Sequence, residues 1–239
     1  MLSEKLWYPR LQLASDCSLL VTFGDAISRQ HHLDVLRLFL LLRSEARPAI
    51  RNIHPAYSSL LISFDSLVVG TAAFETYVHD LIGRIDSVAI SPSRTVEMPV
   101  CYDKEFGPDL EFVAAHNDIR VDEAIHYHTS IDFLVYFLGF SPGFPYLGDL
   151  PKQLVTPRLS TPRVKVPAGS VAIGGSQTGI YPVDSPGGWR IIGRTPTRLF
   201  QSGNASPTLL QMGDVVRFKL ITRKQFEQMV EKEQMGGWG

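Results

Sequence analysis

The residues best able to do chemistry crowd into one stretch. Between Gly139 and Pro196 stand six basic side chains, Lys152, Arg158, Arg163, Lys165, Arg190 and Arg194, against only two acids, Asp149 and Asp184. Arginine on a rigid frame grips carboxylate or phosphate through paired N–H donors, and glycine lets backbone N–H groups approach the same anion. The stretch also holds ten of the nineteen glycines and nine of the sixteen prolines, so its backbone geometry is dictated locally. Two readings follow: a site for a small anion, or a solvated basic face on a β domain with many tight corners.

Within it, GGSQTG (Gly174 to Gly179) invites comparison with phosphate loops and fails each test. No Lys-Ser/Thr pair follows Gly179, no G-x-G-x-x-G occurs, and Thr178 stands where a nucleophile elbow needs its second glycine, so Ser176 is no strong nucleophile. Gln177 and Thr178 remain hydrogen-bonding groups for a polar substrate. All seven histidines lie at or before residue 128, outside the Gly/Pro-rich stretch. His126 and His128, two apart on a short helix, face nearly opposite directions and make a poor ligand pair. His128 ends that helix, where a cation is favoured and a proton shuttle can stand. No metal site is expected.

These residues need a scaffold, and the pattern around them is that of short strands. From Phe133 to Phe218, β-branched and aromatic runs (FLVYFL, VAI, RII, TRLF, VVRFKLI) alternate with turn residues, which predicts a barrel or sandwich. Ser141-Pro142-Gly143-Phe144 and Ser185-Pro186-Gly187-Gly188 each have the chemistry of a type II turn. Pro108–His116 and Val121–His128 read as short helices ahead of the barrel, and Thr222 with Gln225 has capping-box spacing at the head of a terminal helix. Upstream, Ser18–Phe23, Tyr57–Phe64 and Ser66–Val69 read as extended, while Ile27 to about Arg47 and Phe74–Ile85 read as amphipathic helices. The boundary falls in SPSRTVEMP, residues 91–99, giving an α+β chain: a small α+β domain, 1–93, then a β-barrel domain, 94–239.

Composition bounds the rest. At 239 residues and 44% apolar content a sizeable core is available, and 23 basic against 24 acidic side chains leave no global field to attract nucleic acid or an anionic membrane. The longest apolar run, Leu38–Leu42, is far short of the ~20 residues that span a bilayer. Cys17 and Cys101 sit in no ligand or disulfide spacing and are expected in the core. A cytoplasmic protein is expected.

GPDLEFVAAHN (residues 107–117), the IHYH ending at His128, FLGFSPGFPYLGDLP, TPRLSTPRVKVPAGSVAIGGSQTGIYPVDSPGGWRIIGRTP and GDVVRF occur in order. In these the sequence resembles a bacterial family that goes under several names: the B subunit of 5-oxoprolinase, allophanate hydrolase subunit 1, or KipI-type sensor-kinase inhibitor. The resemblance implies a cyclophilin-like C-terminal barrel and a role, beside a homologous C subunit and a third subunit, in ATP-dependent opening of 5-oxo-L-proline to L-glutamate. ATP and Mg²⁺ are expected of the complex, although Asp149 and Asp184 are equally explicable as turn residues. On this reading Arg163, Lys165 and Arg190 bind the small anionic substrate, Gln177, Thr178 and Tyr181 contact it, and His128 is the acid/base. The alternatives it carries are an inhibitor of a sensor histidine kinase, docking through Phe144, Tyr146 and Trp189 unless these pack the barrel, and a carboxyltransferase-like domain related to biotin-dependent urea carboxylase.

Overall fold

The computed structural model describes residues 8–235, with side chains to residue 233. The chain divides into two compact units between Pro92 and Ser93.

The first unit contains β1 (Arg10–Ser15), β2 (Ser18–Thr22), α1 (Arg29–Glu45), β3 (Ile50–Pro55), β4 (Ser59–Phe64) and α2 (Thr71–Ile82). The four strands form one antiparallel sheet in the order β1-β2-β4-β3. Alternation in SLLISF buries Leu60, Ile62 and Phe64 on one face of β4, where Val35, Leu38 and Leu42 of α1 and Phe74, Val78 and Leu81 of α2 are also buried. Ser28 caps α1, its hydroxyl accepting from the His31 N–H at 3.1 Å. Ser66–Val69, expected to be extended, is instead a turn. The Asp65 carboxylate accepts from the Leu67 N–H at 3.0 Å, and its carbonyl takes the N–H groups of Val68 and Val69. An Asx carboxylate that satisfies nearby backbone donors removes the need for a ladder. Cys17, expected in the core, is exposed at the β1–β2 connection.

The second unit is built on β5 (Thr95–Val100), α3 (Leu110–His116), α4 (Val121–Thr129), β6 (Asp132–Leu138), β7 (Pro145–Leu147), β8 (Arg163–Val166), β9 (Ser170–Gly174), β10 (Gln177–Ile180), β11 (Ser185–Gly187), β12 (Arg190–Arg194), β13 (Val215–Leu220) and α5 (Arg223–Met235). Seven strands make one barrel-like sheet in the order β12-β9-β10-β7-β6-β13-β5, with β8 and β11 a separate pair. Cys101, just past β5, exchanges both backbone hydrogen bonds with Arg194 of β12 at 2.9 Å, which brings the two ends of the sheet together. Met98, Val100, Phe133, Val135, Ile173, Ile192, Val216 and Phe218 fill the interior, and Leu110 and Val113 of α3 and Ala124 of α4 join that core.

The turn chemistry divides. At Ser141–Phe144 the expected type II turn forms: Gly143 has φ +82 and the Phe144 N–H donates to the Ser141 carbonyl at 3.0 Å. Ser185–Gly188 does not turn; its first three residues are β11, with Gly187 opposite Arg163. TRLF, read as a strand, contributes one isolated bridge, Phe200 to Thr208. GGSQTG is a β-hairpin: Gly174 pairs with Gln177, and Gly175, at φ +67, occupies the first position of a two-residue loop. The capping box at α5 forms, the Gln225 side chain accepting from the Thr222 N–H at 2.8 Å.

Candidate functional site: an aromatic pocket with one arginine

The Gly/Pro-rich segments meet around a pocket of about 190 Å³. Phe140 and Phe144 come from the β6–β7 turn, Tyr146 from β7, Tyr181 from the end of β10, and Trp189 from the lead into β12; Arg158, Leu159 and Pro162 supply the remaining wall with Gly187 and Gly188. The rings interlock edge to face. Phe144 lies 5.1 Å from Tyr181 at 82° and 5.5 Å from Trp189 at 84°, and Tyr146 lies 5.8 Å from Trp189 at 76°. Phe140, 62% exposed at the rim, is held at φ +65 with its ring 5.5 Å from Phe144. An aromatic residue in the left-handed region is uncommon and marks an over-determined position.

The density of glycine now has a physical cause. A Cβ at Gly174 would stand 2.5 Å from the Trp189 indole, one at Gly179 would stand 2.8 Å from the Pro145 carbonyl and close to Phe144, and one at Gly187 would overlap Tyr181. Backbone without side chains lets the rings lie directly on the strands, so the pocket is aromatic on one side and main chain on the other.

Its electrostatics are simple. Arg158, with Cζ 5.5 Å above the Trp189 ring, is the only charged residue among those lining it. Burial pushes the phenols of Tyr181 and Tyr146 above their ordinary value, so both stay neutral donors across the usual pH range, and Tyr181 accepts a backbone hydrogen bond at Trp189. A neutral aromatic box with one guanidinium suits a small, flat molecule carrying one anionic or strongly polar oxygen.

The residues expected to form a site are dispersed among different tasks. Tyr181 lines the pocket. Arg163 reaches Asp109, Nη2 to Oδ1 at 2.8 Å, while Oδ2 of the same carboxylate accepts from the Ile191 N–H at 2.7 Å. Lys165 pairs with Asp184 at 2.8 Å on the surface, holding that carboxyl below its ordinary range. Arg190 stacks on Phe112 at 3.7 Å and donates to the Pro157 carbonyl at 3.2 Å. None of these three cations lines the pocket. Gln177 is at the β9–β10 hairpin, its Oε1 buried without a hydrogen-bond partner.

His128 and Thr178 are brought together, but in the barrel core. Tyr102 Oη lies 2.7 Å from His128 Nδ1, His128 Nε2 lies 3.1 Å from Thr178 Oγ1, and Thr178 donates to the Ala172 carbonyl at 3.0 Å. Thr178 has one proton and gives it to the carbonyl, so His128 donates from Nε2 and accepts the Tyr102 proton at Nδ1. Burial lowers the imidazole to about 3 and raises Tyr102 well above its ordinary value. The helix end that was expected to favour a cation instead carries a neutral ring, stacked 4.3 Å from Phe218.

Arg158 and the ring set carry the pocket, and sequence reasoning missed Arg158. It was one of six similar cations in the stretch, and only the placement of Trp189 distinguishes it. Trp189 and Phe144 are 6% and 2% exposed, packed into the wall rather than displayed for docking. Among the described residues no group of three His, Cys, Asp or Glu side chains is placed to hold a metal ion. No helix among them is long and apolar enough to cross a membrane.

The second unit is a nearly closed seven-stranded sheet carrying this pocket, and the first is a small helix-and-sheet unit. The chain matches the family "carboxyltransferase domain, subdomain C and D" over residues 9–210 and belongs to it. It is 38% identical to the B subunit of 5-oxoprolinase from Bacillus subtilis, over 93% of this chain and 97% of that protein. It is 54% identical to the Haemophilus influenzae protein of the same name, over 66% of this chain and 77% of that one. The crystal structure of TTHA0988 superimposes with a TM-score of 0.75 at 32% identity, covering 85% of this chain, which spans 40% of that longer one. Kluyveromyces lactis urea carboxylase shares the fold, with a TM-score of 0.80 at 21% identity over 95% of this chain and 23% of that one.

Proposed function

We propose that this chain is the B subunit of an ATP-dependent 5-oxoprolinase, contributing the pocket that holds 5-oxo-L-proline while partner subunits complete the reaction. What supports the reading is the aromatic pocket with its single arginine, whose lining lies wholly within residues 9–210 matched by the family, together with the 38% identity to a protein named as the B subunit of 5-oxoprolinase. The substrate is small and flat, with one carboxylate and one lactam. Arg158 takes the carboxylate, the ring faces take the apolar edge, and neutral Tyr146 or Tyr181 donates to the lactam oxygen. Opening a lactam needs its carbonyl activated, and the described residues offer no carboxylate cluster for Mg²⁺. The ATP and metal chemistry therefore falls to the homologous C subunit and the third subunit.

Mixing the three subunits with 5-oxo-L-proline and ATP tests this. Glutamate is expected from the full set and not from this chain alone. In the active set, Arg158→Gln is expected to raise KM for 5-oxo-L-proline by about tenfold or more, the loss of one charge-assisted hydrogen bond of ~1.5–3 kcal/mol. No glutamate from the complete set refutes the reading, and an unchanged KM refutes the pocket assignment.

A further inference from the structure

We infer that the first unit carries a separate binding cleft for a polyphosphate-type anion, lined by Arg43, Arg47 and Arg51 where α1 passes into β3. The cleft lies wholly within the first unit and is independent of the oxoprolinase reading. α1 ends at Ala46, which takes the left-handed conformation at φ 43, ψ 40. The chain then reverses through a turn closed by the Ile50 N–H donating to the Arg47 carbonyl at 3.0 Å, and enters β3. The reversal places the last-turn Arg43, the turn residue Arg47 and the strand residue Arg51 on one cleft of about 440 Å³. That volume lies in the range of about 300–1,000 Å³ usual for small-molecule sites.

Charge in the cleft is one-sided, since no Asp or Glu lines it. Arg51 pairs with Asp65 and Glu45 pairs with Arg84, both outside the lining. Arg43 and Arg47 have no carboxylate partner among the described residues, and their contacts are with aromatic faces: Arg47 Cζ lies 3.8 Å over Tyr77 and Arg43 Cζ 5.6 Å over Phe39. Stacking fixes the plane of a guanidinium while leaving its edge N–H groups free to donate. The helix C-terminus favours a cation and accounts for one arginine, but Arg43 and Arg47 both stand in the concavity without a carboxylate partner among the described residues and together raise its potential beyond what the dipole offsets, while Arg51 is shared with Asp65. A lone carboxylate satisfies one fork. A chain of phosphates offers several ionised oxygens to more than one fork, and the apolar part of the lining, Phe39, Leu42 and Ile50, can take an attached ring.

The probes are sodium tripolyphosphate and ATP without metal, titrated calorimetrically into the full-length chain at physiological salt. Both are expected to bind, and the Arg43→Gln/Arg47→Gln double variant to lose about tenfold or more in affinity for each. Lys224→Gln, an exposed cation of the second unit, is expected to bind like the parent chain. Equal affinity for the two probes identifies the phosphate chain as the ligand; tighter binding of ATP identifies the nucleotide, with the apolar lining contributing. Absence of binding by both, or a correctly folded double variant that binds as tightly as the parent, overturns the proposal.

Discussion

His128 shows how one residue changes meaning between sequence and structure. A histidine at a helix end reads as a titrating group, whereas here it is sealed in the barrel core with both ring nitrogens engaged. Its pKa falls from an ordinary 6.5 to about 3, so between those values the unfolded chain binds a proton that the folded chain refuses. Stability is therefore full above about pH 6.5 and declines as pH falls towards 3, by on the order of 4 kcal/mol across the window. Urea denaturation at pH 7 and pH 5 is expected to show this as a loss of about 2 kcal/mol, a loss that His128→Phe removes. The variant is also less stable at pH 7, since the buried Tyr102 hydroxyl loses its acceptor at ~1–3 kcal/mol, while Thr178 keeps the Ala172 carbonyl. An identical pH slope in both proteins refutes the assignment. Asp109 acts through its hydrogen bonds. Its two oxygens hold Arg163 and the Ile191 N–H, so Asp109→Ala leaves a part-buried cation and a buried donor unpaired, and about 3 kcal/mol of stability is expected to go. Asp109→Asn, which keeps one acceptor, is expected to cost less.

At the scale of elements, glycine is the signal that the sequence displayed and local rules misread. The pattern of short strands, the helices ahead of the barrel, the capping box at Thr222 and the turn at Gly143 were all legible, because each follows from periodicity or from a local φ requirement. Ser185-Pro186-Gly187-Gly188 was not, because Gly187 answers to the Tyr181 ring across the pocket rather than to a turn, and such a contact has no local trace. The same gap hides Arg158 among its neighbours and disperses Arg163, Lys165 and Arg190, whose partners Asp109, Asp184 and Phe112 come from elsewhere in the fold. Gly174→Ala tests the reading: its Cβ would meet the Trp189 indole at 2.5 Å, so the ring must leave the wall. A loss of about 1–3 kcal/mol from overpacking is expected, with changed near-ultraviolet circular dichroism. Ala46 is the converse, a side chain where the backbone favours none. Ala46→Gly relieves about 1 kcal/mol of left-handed strain and is expected to raise the midpoint of thermal unfolding by a few degrees.

At the scale of the whole molecule, the two units each bury their own core, and the residues at the division show which side owns the connection. Arg94, two residues past the division, grips Asp214 through Nε at 3.3 Å and Nη2 at 2.5 Å and donates to the Leu209 carbonyl at 2.6 Å. Its own carbonyl accepts from the Val215 N–H at 2.9 Å, so the parallel β5–β13 ladder begins at Arg94. The ladder matters because β5 and β12 are the two ends of the barrel sheet, joined at Cys101 and Arg194. Losing register at the head of β5 therefore loosens the closure at its tail. A fragment of residues 93–239 is expected to fold alone and melt in one cooperative transition, since 147 residues with this core lie well within the usual domain range. In that fragment Arg94→Ala removes a bidentate pair from an aspartate that is 10% exposed, at a cost of about 1–3 kcal/mol and several degrees of melting temperature. A fragment that melts without cooperativity shows that the barrel depends on the first unit. A fragment indifferent to Arg94 shows that closure at Cys101 and Arg194 holds the ladder without it.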